Sequence, residues 1–206
     1  MKARELVRQG EIGRLSLIWG HCALDLMNNG THVIDLINIL NNDEEPVWVM
    51  GQIDRHRQLQ GRGNHPDMVM EDMAVGRVGY ANGVVGLMEL GERADHGFGF
   101  RLVGTDGLIE INRPDSPKLK VLSGFRQRGW HAPELVPIHS NFHAKIEELI
   151  EAVEGRATHR GRAQHGRRAL EIIMGIFESS SRHAALEFPI PAQDFVLKRM
   201  IREGDV

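Results

Sequence analysis

From Pro46 to about Leu122 the chain is a run of short segments in which apolar and polar residues alternate, broken by tight-turn signals. Val47, Val49 and Gly51 alternate with Trp48, Met50 and Gln52. Met73–Tyr80 and Val84–Leu90 flank Asn82-Gly83, a pair whose residues tolerate the positive φ of a hairpin turn. Phe98–Val103 and Leu108–Ile111 flank Thr105-Asp106-Gly107, and Lys118–Leu122 adds a further short strand. Alternation of period two sends successive side chains to opposite faces, and strands joined by tight turns pair antiparallel. The pattern therefore calls for a largely antiparallel sheet.

Helical periodicity flanks that run. Residues 3–9 read as a short helix closed by Gly10, and Leu15, Leu17 and Trp19 mark a first strand. Val33, Ile34, Ile37 and Leu40 give a second helix a buried side until Asn41-Asn42-Asp43 ends it. Residues 124–140 read as irregular. Two closing helices follow, one with Phe142, Ile146, Leu149, Ile150 and Val153 on one face, the other carrying Ala169, Leu170, Ile172, Ile173, Ile176 and Phe177. This order predicts an α+β fold, an open and mostly antiparallel sheet with helices on one face. Residues 1–193 are expected to form one domain, which 206 residues at 41% hydrophobic content can supply with a core. Residues 194–206, with the amphipathic piece Phe195–Ile201, are expected to be a tail. The second sheet face, assigned Val75, Val85, Leu87, Ile109 and Ile111, is apolar enough to want cover. A homodimer or higher oligomer is the expectation.

The stretch Asn28-Asn29-Gly30-Thr31-His32-Val33-Ile34-Asp35 carries the candidate chemistry. If a helix begins near Gly30, His32 and Asp35 share a face and Asn28 stands just before the first turn, near His32. A histidine so placed can exchange a proton with a bound hydroxyl. Other constellations are weaker. His139 and His143 have metal-ligand spacing without an evident third ligand, and read as surface histidines. The arginine-rich stretch 156–168 reads as a solvated loop between helices. Arg55, His56, Arg57 and Arg62 belong to a polar loop spanning 54–67, and Trp130 and His131 are candidates for lining a substrate pocket. A net charge of −3 gives no general pull toward nucleic acid or an anionic membrane. The lone Cys22 fits a reducing compartment, and with no apolar run of membrane-spanning length and no signal-like N-terminus a cytoplasmic location is expected.

Taken in order, several segments resemble one family. Gly10-Glu11-Ile12-Gly13-Arg14-Leu15, Gly30-Thr31-His32-Val33-Ile34-Asp35-Leu36, Ala81-Asn82-Gly83-Val84-Val85-Gly86 and Val103-Gly104-Thr105-Asp106-Gly107-Leu108-Ile109-Glu110 resemble successive motifs of the C-terminal half of the Gfo/Idh/MocA oxidoreductases. Phe142–Gly155, Ala169-Leu170-Glu171-Ile172 and Glu178-Ser179-Ser180 resemble its closing helices. The resemblance implies the substrate and oligomerisation half of an enzyme that uses NAD or NADP to oxidise or reduce a sugar or polyol hydroxyl. It makes His32 the acid/base residue, with Asn28 where the family often has an acid, and Asp35 as a local orienting or substrate-side group. It also implies a dinucleotide-binding domain, for which these 206 residues hold no strand followed by a Gly-x-Gly-x-x-Gly turn and helix. Gly97-Phe98-Gly99-Phe100-Arg101 has the wrong spacing. The expectation is a substrate domain that binds no cofactor alone, is inactive alone, and works with a dinucleotide domain upstream or on a separate chain. The alternative is a non-catalytic binding or assembly module derived from such an enzyme.

Overall fold

A computed structural model describes residues 2–56, 69–91, 97–113, 117–124, 129–135, 141–159, 161–191 and 194–206. The elements run α1 (Lys2–Arg8), β1 (Leu15–Cys22), α2 (Asn29–Leu40), β2 (Pro46–Asp54), β3 (Met73–Tyr80), β4 (Val85–Gly91), β5 (Gly99–Gly104), β6 (Gly107–Ile111) and β7 (Leu119–Ser123), then β8 (Trp130–His131), α3 (Asn141–Val153), α4 (Ala163–Arg182), β9 (Leu186–Glu187) and α5 (Val196–Glu203). The strands form one open sheet in the order β8-β7-β6-β5-β1-β4-β3-β2-β9. Among the described residues the one parallel pair is β1 with β4, and every other neighbour is antiparallel. The α+β class and the open, mostly antiparallel sheet are therefore as the alternation requires.

α2 and α4 lie on one face, with α1 against α2. Val33, Ile34 and Ile37 of α2 are fully buried where it crosses β1 and β4, and Ile172, Ile173, Ile176 and Phe177 of α4 are fully buried over β2 and β3. Residues 194–206 join this layer: Val196, Leu197 and Met200 of α5 are buried against α4, and Phe195 meets Phe177 edge-on with centroids 6.1 Å apart. The Asn82-Gly83 turn forms with Gly83 at φ 82°, and the Tyr80 amide donates to the Val84 carbonyl at 3.0 Å.

Two sequence assignments are corrected. Val75, Val85 and Leu87 do lie on the open face, but Ile109 and Ile111 do not. Ile109 is fully buried opposite Leu102 and Val121, and Ile111 packs against the core opposite Phe100 and Leu119. Period-two alternation fixes which residues share a face, not which face the core takes, and β6 is in the other phase. Its open-face residues are Leu108 and Glu110, the latter held by Arg101 and by Lys120 at 2.8 Å. The irregular stretch 124–140 also contributes β8, whose two residues pair with Val121 and Leu122. α3 has its apolar stripe on one face as the spacing requires, yet the stripe points outward, with Phe142 70% and Val153 79% exposed.

Candidate functional site

β1 ends at Cys22 beside the end of β4, and the chain turns back through residues 23–28 to start α2. This turn is tied down in several ways. Leu26 is fully buried and anchors it from below. The Asp25 carboxylate accepts the Asn28 amide at 2.9 Å, a local side-chain bond that starts the helical turn. Asn29 and Gly30 amides reach the Asp25 carbonyl at 3.1 and 3.2 Å, and the Asn29 side chain donates to the Ala23 carbonyl at 2.9 Å. Thr31 closes the first turn by donating its hydroxyl to the Asn28 carbonyl at 2.6 Å. Leu24 sits at φ 79°, where a side chain is strained, so the turn is held against a local preference.

The mouth so formed carries Asn28 and His32. Both are exposed, and four residues apart on a helix start they are neighbours. Asp35, one turn further on, is half-buried. Burial raises its carboxyl above the usual range, the nearby His165 imidazole pulls it down, Asp43 pushes it up again and His32 pulls it down. Trp130 and His131 are not brought to this mouth. They lie on β8, four strands from β1, which at ~4.8 Å per strand is roughly 19 Å across the sheet. There Trp130 carries the Lys120 ammonium 4.6 Å from its ring centroid.

Asp25 and Glu71 went unnoticed in the sequence. Both are 3% exposed. One Glu71 oxygen accepts the Leu26 amide, and its Oε2 is buried without a hydrogen-bond partner. Burial pushes the Glu71 carboxyl up, the Leu26 amide draws it down, and the Asp25 and Asp72 charges add to the rise. Asp25 had a readable local signal, a short acid three residues before a helix start. Glu71 had none, since its partner is 45 residues away.

His139 and residues 57–67, including Arg57 and Arg62, lie outside the described residues. Among the described residues no three His, Cys, Asp or Glu side chains converge as metal ligands, and no helix is long and apolar enough to cross a membrane. The Gly97-Phe98-Gly99 string does not fit a dinucleotide. Gly99 begins β5, where a β-carbon would meet His21 Nε2 at 2.6 Å, so this glycine serves strand packing and opens no helix mouth for a pyrophosphate.

The family model described as "Oxidoreductase family, C-terminal alpha/beta domain" matches residues 25–188, and the chain belongs to this family, Gfo/Idh/MocA. Among solved structures it is similar to levoglucosan dehydrogenase in complex with NADH and levoglucosan, with a TM-score of 0.74 and 19% identity over 91% of this chain and 62% of that one. It is also similar to aldose-aldose oxidoreductase from Caulobacter crescentus complexed with glycerol (TM-score 0.73, 18% identity, 90% of this chain and 59% of that one). A third is an NAD binding oxidoreductase from Klebsiella pneumoniae (TM-score 0.69, 14% identity, 94% and 63%). The chain thus spans about three fifths of the length of these structures. No curated protein matches it.

Proposed function

We propose that this chain is the substrate-binding and oligomerisation part of a nicotinamide-dependent oxidoreductase acting on a sugar or polyol hydroxyl, with His32 exchanging the hydroxyl's proton. The observation that carries the reading is the placement of His32 and Asn28, four residues apart, at an exposed helix mouth held by a strained and heavily hydrogen-bonded turn. An exposed imidazole can take up or release the proton, and the Asn28 amide can hydrogen-bond a neighbouring hydroxyl. Asp35 orients from the next turn. NAD or NADP is assigned to a dinucleotide-binding domain, upstream or on a separate chain. Holding reactants in contact is worth roughly 7–11 kcal/mol, and no group described here holds a nicotinamide, so the chain is inactive alone. The outward apolar stripe of α3 supports a missing covering partner, and the open sheet face supports a second copy.

A non-catalytic module is favoured by one observation: residue 28 is Asn, without the negative charge that would raise the histidine's basicity. Two measurements separate the readings. Levoglucosan and glycerol are titrated against the chain while the His32 ring resonances are followed. A saturable shift, weakened in Asn28→Ala, is expected, and no response up to the solubility limit overturns the polyol reading. Fusion behind a family dinucleotide-binding domain should then give turnover that His32→Ala abolishes. Binding without turnover leaves the module.

A further inference from the structure

A buried carboxyl with one oxygen unpaired is an expensive group, since a polar atom taken from water without a partner costs stability. Glu71 is such a group, 3% exposed, with two more acids, Asp25 and Asp72, close enough to disfavour its charge. It stands against the turn whose backbone is strained at Leu24 and which sets the start of α2. Strain and unsatisfied polar groups gather where a structure is shaped for a ligand more than for stability.

The other side-chain hydrogen bonds described for this turn are short-range. Asp25 to Asn28, Asn29 to Ala23 and Thr31 to Asn28 join residues three to six apart, and they shape the turn without fixing it to the sheet. The Glu71–Leu26 bond spans 45 residues and comes from the segment entering β3. Among the described residues it is the long-range polar tie between the turn, and with it the α2 mouth, and the sheet end. We infer that Glu71 is a positioning residue: through the Leu26 amide it places Asn28 and His32 for a hydroxylated ligand. The inference rests on the function proposed above for that mouth.

The test compares Glu71→Ala, Glu71→Asp and Glu71→Gln by backbone amide spectra, by melting, and by a levoglucosan titration read at the His32 ring. Glu71→Ala and the shortened Glu71→Asp should move the amide signals from Leu26 to His32 while leaving those of β6 and β7 in place. Both should weaken the titration about tenfold. Glu71→Gln keeps an acceptor oxygen at the same reach and should restore wild-type signals and affinity. Amides of Asn28 and His32 unmoved in Glu71→Asp overturn the inference, as does a lowered melting temperature with an unchanged titration. Should Glu71→Ala not fold, the Asp and Gln variants decide alone. If wild-type protein ignores levoglucosan, the polyol reading fails, and the amide comparison still decides whether Glu71 places the mouth.

Discussion

A β-carbon added at Gly51 would lie 2.6 Å from Cγ2 of Ile176 and 3.1 Å from its Cα, so α4 rests directly on the backbone of β2. Gly76 on β3 receives the same side chain, its β-carbon position 2.6 Å from Ile176 Cδ1. Because the nearest obstacle includes main chain, Gly51→Ala cannot be absorbed by a rotamer change and must lift the helix. Overpacking of this kind costs about 1–3 kcal/mol. Gly166, near the start of the same helix, has open space around its β-carbon position. Gly166→Ala should stabilise by about 0.5–1 kcal/mol through helix propensity. Urea unfolding of the two variants should move the midpoint in opposite directions, and a neutral Gly51→Ala would refute the close approach.

That contrast also marks what the amino-acid sequence could disclose. Signals between neighbours were legible: the Asn82-Gly83 turn, the apolar side of α2, and the four-residue relation of Asn28 to His32. Relations set by distant pairing were not. β8 and β9 are two residues long and exist only because β7 and β2 offer them an edge. The phase of β6, which buries Ile109 and turns Glu110 outward, depends on its pairing with β5 and β7. At the candidate site the helix and its histidine could be read, whereas Glu71 reaches Leu26 only once the sheet has formed.

Tyr80 donates its hydroxyl to Oδ1 of Asn38 at 2.7 Å, and both side chains are buried between α2 and the end of β3. Burial pushes the phenol pKa up, so the hydroxyl stays a donor throughout the accessible range. The Asn38 Nδ2 is already buried without a partner. Tyr80→Phe would leave the Asn38 oxygen unpaired too, and an orphaned buried acceptor costs about 1–3 kcal/mol. A double variant with Asn38→Leu should recover part of that loss. Equal midpoints for wild type and Tyr80→Phe would show that the bond contributes nothing.

Glu178 on α4 is gripped by Arg199 of α5 and by Arg182 at 2.5 Å. Burial alone would raise its carboxyl, but hydrogen bonds and charge from Arg199 and Arg182 win and hold it below the usual range. A carboxyl lowered by folding contributes stability that is present above its unfolded pKa and is lost as pH falls through the folded one. Glu110, with Arg101 and Lys120, is lowered in the same way, burial again opposing. Stability should therefore decline on acidification from the ordinary Glu pKa downward, and Glu178→Gln should flatten that decline. Arg199→Ala leaves the carboxylate one partner short and should cost about 1–3 kcal/mol at neutral pH. Melting curves across the acid range decide, and an identical acid limb in Glu178→Gln would remove Glu178 from the account.

On the open face, Leu87 lies between Trp19 on β1 and Arg77 on β3, with Val85 one step along the same strand. Trp19, Val85 and Leu87 are half-buried in the single chain, and Arg77 is exposed, although α2 and α4 pack on the other face. Half-covered apolar groups beside Trp48 and Arg77, whose guanidinium sits 5.9 Å from that ring, form a surface suited to a second sheet. If a second copy supplies it, light scattering will give a mass of twice the chain or more. Leu87→Lys with Val85→Lys would then place two ammonium groups beside Arg77 in each copy. Desolvating them in a closed interface is costly, whereas in a lone chain they can reach water. The double variant should therefore run as a monomer that keeps its sheet and loses at most about 1 kcal/mol of intrinsic stability. Dilution series place the two proteins on one scale: a wild type that is monomeric at every concentration, or a lysine variant that still dimerises, would take the interface off this face.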